Sequence, residues 1–398
     1  MNPVAAGALI SLIGPEHVRR RRTLNQLLRA DALTYYHRDI LMPALDRILA
    51  RIARDQYTDG VCRADLVHEA NLLMLRFSCE LLGLIGIDTD ERANEVLGIL
   101  RPVHAAMLLN FSATDQQAVI ADAEEAIARF SERFFRPSIR FCENQLKMVQ
   151  DGKLPSDSVP NNLMRLVATR AVPEYSDERF AIAETLTLLN ASIGTSARQL
   201  VLMLDEFWRW MEGHPEDTEL VGNDDFLVGI VYETIRLYAN SVPILRRVAL
   251  EDVTLSTGKT IAEGELLAIL HVRADRDSSI FGSDADTCNP HRQLAPGVAP
   301  YGLGFGGGPH MCLGLRVVLG NEGVGSHLLL LKGLLAAGIE PDRDRPPTRS
   351  TDKVTDSEHI TYASYPVVFR NLSRNRSHDR GDRNSTPLPQ GDHSAAEG

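Results

Sequence analysis

Apolar positions recur mostly at three- and four-residue spacing, and that period organises most of the chain. From Ala30 to about Gln150 helical repeats dominate, as at Leu72, Leu75, Cys79 and Leu82, which fall on one helix face. Upstream, Gly14-Pro15-Glu16-His17 puts proline and an acid in the first turn of a helix predicted to reach about Arg29. The longest pattern begins at Ser176-Asp177-Glu178-Arg179, with Ser176 as predicted N-cap, and stops at Gly213-His214-Pro215. Some 36 residues at 1.5 Å each span about 54 Å, enough to cross the molecule. Asp224-Asp225 opens another helix, which carries Glu233 and Arg236.

Over Pro243 to Leu255 the period drops to two. A turn at Ser256-Thr257-Gly258-Lys259 leads to a second strand before Glu263-Gly264-Glu265, predicting a hairpin. A further helix is predicted over Leu313 to Leu335. It is interrupted by Gly320, Gly323 and Gly325, each costing up to about 1 kcal/mol relative to alanine. A strand pair is expected near His359 to Phe369. The tail 371–398, with one leucine after Leu372, cannot bury a core and is expected to be disordered. The expectation is a mainly α single domain over 1–370 with a small antiparallel sheet component.

Composition narrows the function classes. The 398 residues are 44% hydrophobic and 24% charged, ordinary for a globular protein. A net charge of −11 argues against general nucleic-acid binding. Five cysteines (62, 79, 142, 288 and 312) are odd in number, scattered, and without metal-knuckle spacing, which suits a reducing compartment. The apolar patch ahead of Arg19-Arg20-Arg21-Arg22 is too short for a bilayer and has the reverse charge order of a secretory signal. A cytoplasmic protein without a membrane anchor is expected.

The chemistry concentrates in Phe305-Gly306-Gly307-Gly308-Pro309-His310-Met311-Cys312-Leu313-Gly314. Here a cysteine follows a glycine-rich turn and directly precedes the predicted helix. The helix dipole and free N–H groups at such a terminus stabilise a thiolate, so Cys312 is expected to be held deprotonated and ready for a metal. Gly306 and Gly308 permit backbone angles closed to other residues, and Gly314 would let a flat cofactor lie against the helix start.

The stretch matches Phe-Gly-x-Gly-x-His-x-Cys-x-Gly at every fixed site, and the chain thereby resembles the soluble bacterial type of the cytochrome P450 family. The resemblance implies haem b with Cys312 as proximal iron ligand, in a loop that includes Phe305, Gly306, His310 and Gly314. Residues 10 to 370 share it. Only thirteen residues precede Gly14, where the family has further helices and strands; a truncated start, a misassigned start and a natural short variant are all compatible with this.

Other positions acquire roles by the same resemblance. His17 and Arg21 match the helix that covers the cofactor edge and, with Arg247 and His310, would hold the haem propionates. Arg19, Arg20 and Arg22 would face outward toward an acidic redox partner. Glu233, Arg236 and Arg292 would form the family's buried triad, and Ala274-Asp275-Arg276-Asp277 with Phe281 matches a structural stretch. His68, His104 and Met107 read as core or surface residues, although parts of Arg101 to Ala113 match a pocket-lining region.

In the long helix, Ala191-Ser192-Ile193-Gly194-Thr195-Ser196 matches a distal segment whose hydroxyl and carboxylate deliver protons. Thr195 and Ser196 match, but Gly194 replaces the acid and Ser192 replaces a glycine. By itself the stretch is also a small-residue patch that lets another element pack closely. The implied activity is monooxygenation of a small hydrophobic or amphipathic organic molecule with O2. Electrons would come from NAD(P)H through a ferredoxin-, flavin- or flavodoxin-type partner. Two alternatives stand beside it. Gly194 suggests peroxide-driven oxidation, rearrangement or coupling, and the short N-terminus suggests a non-catalytic remnant.

Overall fold

The computed structural model describes residues 4, 7–109, 115–238, 245–320, 324–350 and 361–372. The expected tail beyond Leu372, His359, Pro243, Gly323 and the 110–114 part of the expected pocket lining lie outside these.

Helices carry the architecture, and their ends follow local chemistry. Pro15 and Glu16 sit in the first turn of α1 (Gly14–Leu24), which passes into a 3-10 turn at Asn25–Leu28 rather than continuing to Arg29. α2 (Met42–Asp55) precedes α3 (Leu66–Leu82), whose N-terminal amides of Val67 and His68 donate to the Asp65 carboxylate. α4 (Asp90–Met107), α5 (Gln116–Phe130) and α6 (Arg136–Gln150) follow. α7 (Glu178–Gly213) runs unbroken for 36 residues. Its N-cap is Asp177 and not the expected Ser176. The Asp177 carboxylate accepts from the Arg179 amide at 3.0 Å, while the Ser176 hydroxyl is turned back onto Pro173 O. α8 (Asp224–Leu237) is capped by Asn223.

α3 lies along α7 as the central packed pair. Leu72, Leu75, Cys79 and Leu82, the predicted stripe of α3, are all buried. Among the described residues, no helix is long and apolar enough to cross a membrane.

The strands form small antiparallel pieces at the periphery. β1 (Tyr57–Thr58), β2 (Val61–Asp65), β10 (Pro366–Phe369) and β7 (Ile339–Pro341) make one sheet in the order β1-β2-β10-β7. β3 (Leu245–Val248) pairs with β6 (Leu266–Ile269), and β4 (Val253–Thr254) with β5 (Thr260–Ile261). The predicted hairpin is therefore two nested ladders. The strands expected to pair near Phe369 do not pair with each other. β9 (Tyr362–Ser364) joins β8 (Thr348–Arg349), while β10 crosses to β2 and β7.

The helix expected over Leu313 to Leu335 is two helices, α9 (Leu315–Leu319) and α10 (Ser326–Ala336). Gly320 has φ +71°, and a Cβ there would meet Val324 O at 1.8 Å. A Cβ on Gly325 would meet Val318 O at 2.1 Å. The chain doubles back so tightly that only glycines fit, which breaks the apolar run.

Candidate functional site

The site is built from the turn preceding α9, from α1, and from strand β3. Gly306 and Gly308 adopt φ +69° and +66°, the left-handed region that favours glycine. These turns bring the Cys312 amide back to donate to Phe305 O at 2.8 Å, which closes the loop around the cysteine. Cβ atoms built on Gly306, Gly307 or Gly308 would meet nothing within 4 Å, so the loop borders open space. Phe305 is anchored edge-on against Tyr301, with centroids 5.3 Å apart.

The Cys312 side chain is reached by solvent, yet burial by surrounding protein pushes its thiol upward from the ordinary range. The Gly314 and Leu315 amides and the Arg21 charge pull the other way and do not win. This corrects the expectation of a thiolate held by the helix terminus alone. The five-residue α9 offers few free N–H groups, and desolvation dominates. A metal cation at the sulfur would supply what the terminus does not.

Around this sulfur the fold gathers His17, Arg21, Arg247 and His310. The His17 and His310 rings stack with centroids 4.0 Å apart. Burial, followed by repulsion from His17, Arg247 and Arg21, holds the His310 imidazole below its usual range. Burial and then Arg21 do the same for His17. Arg247, exposed on β3, donates to Arg246 O at 2.8 Å. Two guanidinium groups beside two imidazoles whose proton affinity is lowered call for anionic groups between them.

A thiolate donor, an open glycine cradle and this cationic rim fit a haem: Cys312 would ligate the iron, and the four bases would hold its two carboxylates. Gly314 is compatible, since a Cβ there would meet only Cys312 Sγ, at 3.8 Å.

Behind the loop, Glu233 is clamped from both sides. Arg236 donates to its two oxygens at 2.7 and 2.8 Å, and Arg292 Nε donates to both at 3.0 Å. The Asn289 amide adds a bond at 2.9 Å. Other guanidinium N–H groups reach backbone carbonyls, Asp275 O and Ala285 O at 2.6 Å from Arg236, and Asp284 O and Thr287 O from Arg292, which also donates to the Asp284 carboxylate at 2.7 Å. Three charges are thus buried with near-complete hydrogen bonding, the condition under which a buried ion cluster is tolerated. Asp275 is bound from the other side, its Oδ1 accepting the Leu303 amide at 2.7 Å. Its Oδ2 is buried without a hydrogen-bond partner among the described residues, and burial raises this carboxyl to about 6.

Arg20 departs from the expected outward face. It is 1% exposed and pairs with the fully buried Glu184 of α7 at 3.1 Å, while Arg19 pairs with Glu174. Of the three arginines proposed for a partner surface, Arg22 is the one left exposed without such a pair among the described ion pairs. Glu184 also accepts the Leu9 amide at 3.1 Å and so ties α1 and the segment before it to α7. Positions 20 and 184 share no local pattern, and sequence reasoning missed this pair.

On α7, Thr195 hydrogen-bonds Ala191 O one turn back. Ser192 gives its hydroxyl to Ser78 of α3 at 2.9 Å, so it serves helix packing and does not replace the absent acid. Ala191 and Gly194 are exposed on one face, Thr195 and Ser196 are half-buried, and Gly194 borders open space. The helical span is continuous through this segment.

The cytochrome P450 family model matches residues 222–319, the span holding Glu233, Arg236, Arg292 and Cys312. Cytochrome P450 55A3 of Fusarium lichenicola is 31% identical over 149 residues, 37% of this chain and 35% of that protein. Cytochrome P450 monooxygenase fsdH of Fusarium heterosporum is 26% identical over 232 residues, 52% of this chain and 41% of that protein. These matches thus span well under two thirds of the curated relatives' lengths. Among solved structures, CalO2 matches with TM-score 0.65 and 19% identity, over 92% of this chain and 81% of that one. The Sorangium cellulosum So Ce56 cytochrome P450 260B1 matches with TM-score 0.65 and 22% identity, over 91% of this chain and 82% of that one. The chain thus shares its fold with these solved structures over most of its length, and residues 222–319, which include the thiol loop, are similar in sequence to the cytochrome P450 family.

Proposed function

We propose that this protein is a haem-thiolate monooxygenase that converts R–H to R–OH on a small organic substrate. The reaction uses O2, two electrons and two protons, and releases the second oxygen as water. The observation that carries the reading is the convergence of His17, Arg21, Arg247 and His310 around a solvent-reachable Cys312.

Haem b, when bound, supplies the redox iron and the activation of dioxygen. The chain's own residues do the rest. Cys312 Sγ provides the thiolate ligand, and the loop bond from its amide to Phe305 O fixes where the sulfur points. His17, Arg21, Arg247 and His310 hold the carboxylates and fix the cofactor's rotation. The Glu233–Arg236–Arg292 cluster ties the segment before the loop to α8 and keeps that frame from shifting.

On α7 the Thr195 hydroxyl can pass a proton only by leaving Ala191 O. With glycine at position 194, the carboxylate expected beside it is replaced by space for water. Electrons would come from NAD(P)H through a ferredoxin- or flavodoxin-type partner at the face bearing Arg22. Gly194 also favours a second reading, in which peroxide oxidises the substrate directly, R–H + H2O2 giving R–OH and water. That route needs neither reductase nor proton relay.

The test is the reduced, carbon monoxide-treated difference spectrum of the haem-loaded chain. A red-shifted Soret band that disappears in Cys312→Ala supports thiolate ligation, and an unshifted band in the parent chain overturns it. Turnover with peroxide but not with reductase would select the second reading.

A further inference from the structure

α1 carries His17 and Arg21, half of the basic rim, so whatever fixes α1 fixes that half of the site. Its hold on the rest of the molecule is mostly polar. The buried side chains of α1 are His17, Arg20 and Leu24, and the one apolar member is the last residue of the helix. Its main packing partners are the 3-10 turns beside it in the chain, Leu9–Ser11 and Asn25–Leu28. Apolar burial is non-directional, so hydrogen bonds and ion pairs set the position of the half that carries His17.

Arg20 supplies them. Its Nη1 donates to Glu184 Oε2 at 3.1 Å and to Gly7 O at 2.9 Å. The other Glu184 oxygen accepts the Leu9 amide at 3.1 Å. Nη2 stands 3.7 Å from Glu16 and 3.7 Å from Glu174. The guanidinium lies over the Tyr175 ring at 5.7 Å, in the 3-10 turn Pro173–Ser176 that precedes α7. One buried side chain thereby joins the segment before α1, α1 itself, that turn and α7. Arg20 follows His17 by three residues on the same face and is the neighbour of Arg21, so any displacement of Arg20 carries both bases with it.

We infer that Arg20 and Glu184 are positioning residues for the cofactor: their pair holds His17 and Arg21 at its carboxylates and so governs how tightly haem is retained. This rests on the haem-thiolate reading. A pair that only stabilised the fold could be exchanged for apolar side chains at little cost, since burying two charges is expensive in itself. A pair that positions cannot be exchanged in this way, because an apolar contact lets α1 slide and turn. With the rim displaced, the cofactor's carboxylates keep more of their negative charge uncompensated, which favours the oxidised iron.

The experiment compares the haem-loaded parent with Arg20→Met, Glu184→Leu, the double variant and Arg20→Lys. Each is read by its urea midpoint, its rate of haem transfer to excess apomyoglobin and its reduction potential. Each of the first two leaves a buried charge unpaired and is expected to lower the midpoint. The double variant is expected to regain most of the midpoint, yet to lose haem at least about tenfold faster than the parent and to show a lower potential. Amide exchange within α1 of the haem-free chain is expected to be faster in the double variant, with exchange in α8 unchanged. Arg20→Lys keeps the charge without the guanidinium fork and is expected to lose haem severalfold faster. Haem retention and potential that return to parent values together with the midpoint overturn the inference and leave the pair a fold contact. Unchanged α1 exchange does the same. Should the double variant not fold, Arg20→Lys decides, and parent-like haem retention in it overturns the inference. These outcomes leave the haem-thiolate reading standing, whereas a parent chain without a thiolate-type Soret band overturns that reading and the inference with it.

Discussion

The wall that carries Cys312 and the helix that carries Thr195 are made by opposite means. The Cys312 side is over-determined. Its loop amide returns to Phe305 O, Glu233 is clamped by two guanidinium groups, and Asp275 holds the Leu303 amide. The Thr195 face is a stretch of continuous helix with small residues and open space, steadied from behind by α3 through Ser192 and Ser78. Irregular backbone must satisfy its polar groups individually, so a loop that holds a ligand needs a network. A helix satisfies its backbone internally and can leave one face bare for a guest. The comparison teaches that fixed chemistry and variable chemistry are assigned to different kinds of backbone.

The largest effect expected from breaking this contrast is at the clamp. Arg236→Leu leaves Glu233 with one guanidinium partner and removes the bonds to Asp275 O and Ala285 O. A loss of about 3–5 kcal/mol is expected, read as a lowered urea midpoint. A comparable change on the open face has no such network to break.

Asp275 sharpens the contrast through pH. Its folded pKa of about 6 lies above the ordinary 3.8, because burial outweighs the Leu303 amide and the nearby Arg236 and Arg276 charges. The folded state therefore binds this proton more tightly than the unfolded state. Its contribution to stability is complete below about pH 3.8 and is lost as pH rises through about 6. Asp275→Asn should flatten that slope between pH 4 and 7 and raise stability at neutral pH, by on the order of 2–3 kcal/mol. An unchanged pH profile of denaturation midpoints would count against it.

The smallest effect is a pair of alanine substitutions. Gly194→Ala adds a Cβ to open space in a helix interior and should stabilise by up to about 1 kcal/mol. Gly304→Ala should destabilise, since its Cβ would meet Ile235 Cγ2 at 2.5 Å and Ile235 O at 3.0 Å. Thermal midpoints moving in the same direction for both would dissolve the distinction between the two sides.

Much of the fold was legible because periodicity and caps are local. The α3 stripe, the extent of α7 and the start of α1 follow from residues a few positions apart. The Cys312 loop was legible for a similar reason, since its glycines and its ligand lie within ten residues. Errors came where a distant partner decided the outcome. Arg20 looked like one of four solvated arginines until Glu184, from another helix, took its charge. The run after Cys312 looked helical until the Val318 and Val324 carbonyls left no room for a Cβ at Gly320 or Gly325.

The sequence by itself determined most of the helical segments and which side chains offer a thiol, an imidazole or a guanidinium, because backbone propensity and side-chain chemistry belong to the residue. Only the tertiary structure decided the rest. It turned the Cys312 thiol upward through desolvation, buried Arg20 against Glu184, and gave Ser192 to Ser78. Proton affinity, charge pairing and cavity shape depend on what surrounds a group, and only the folded chain supplies those surroundings.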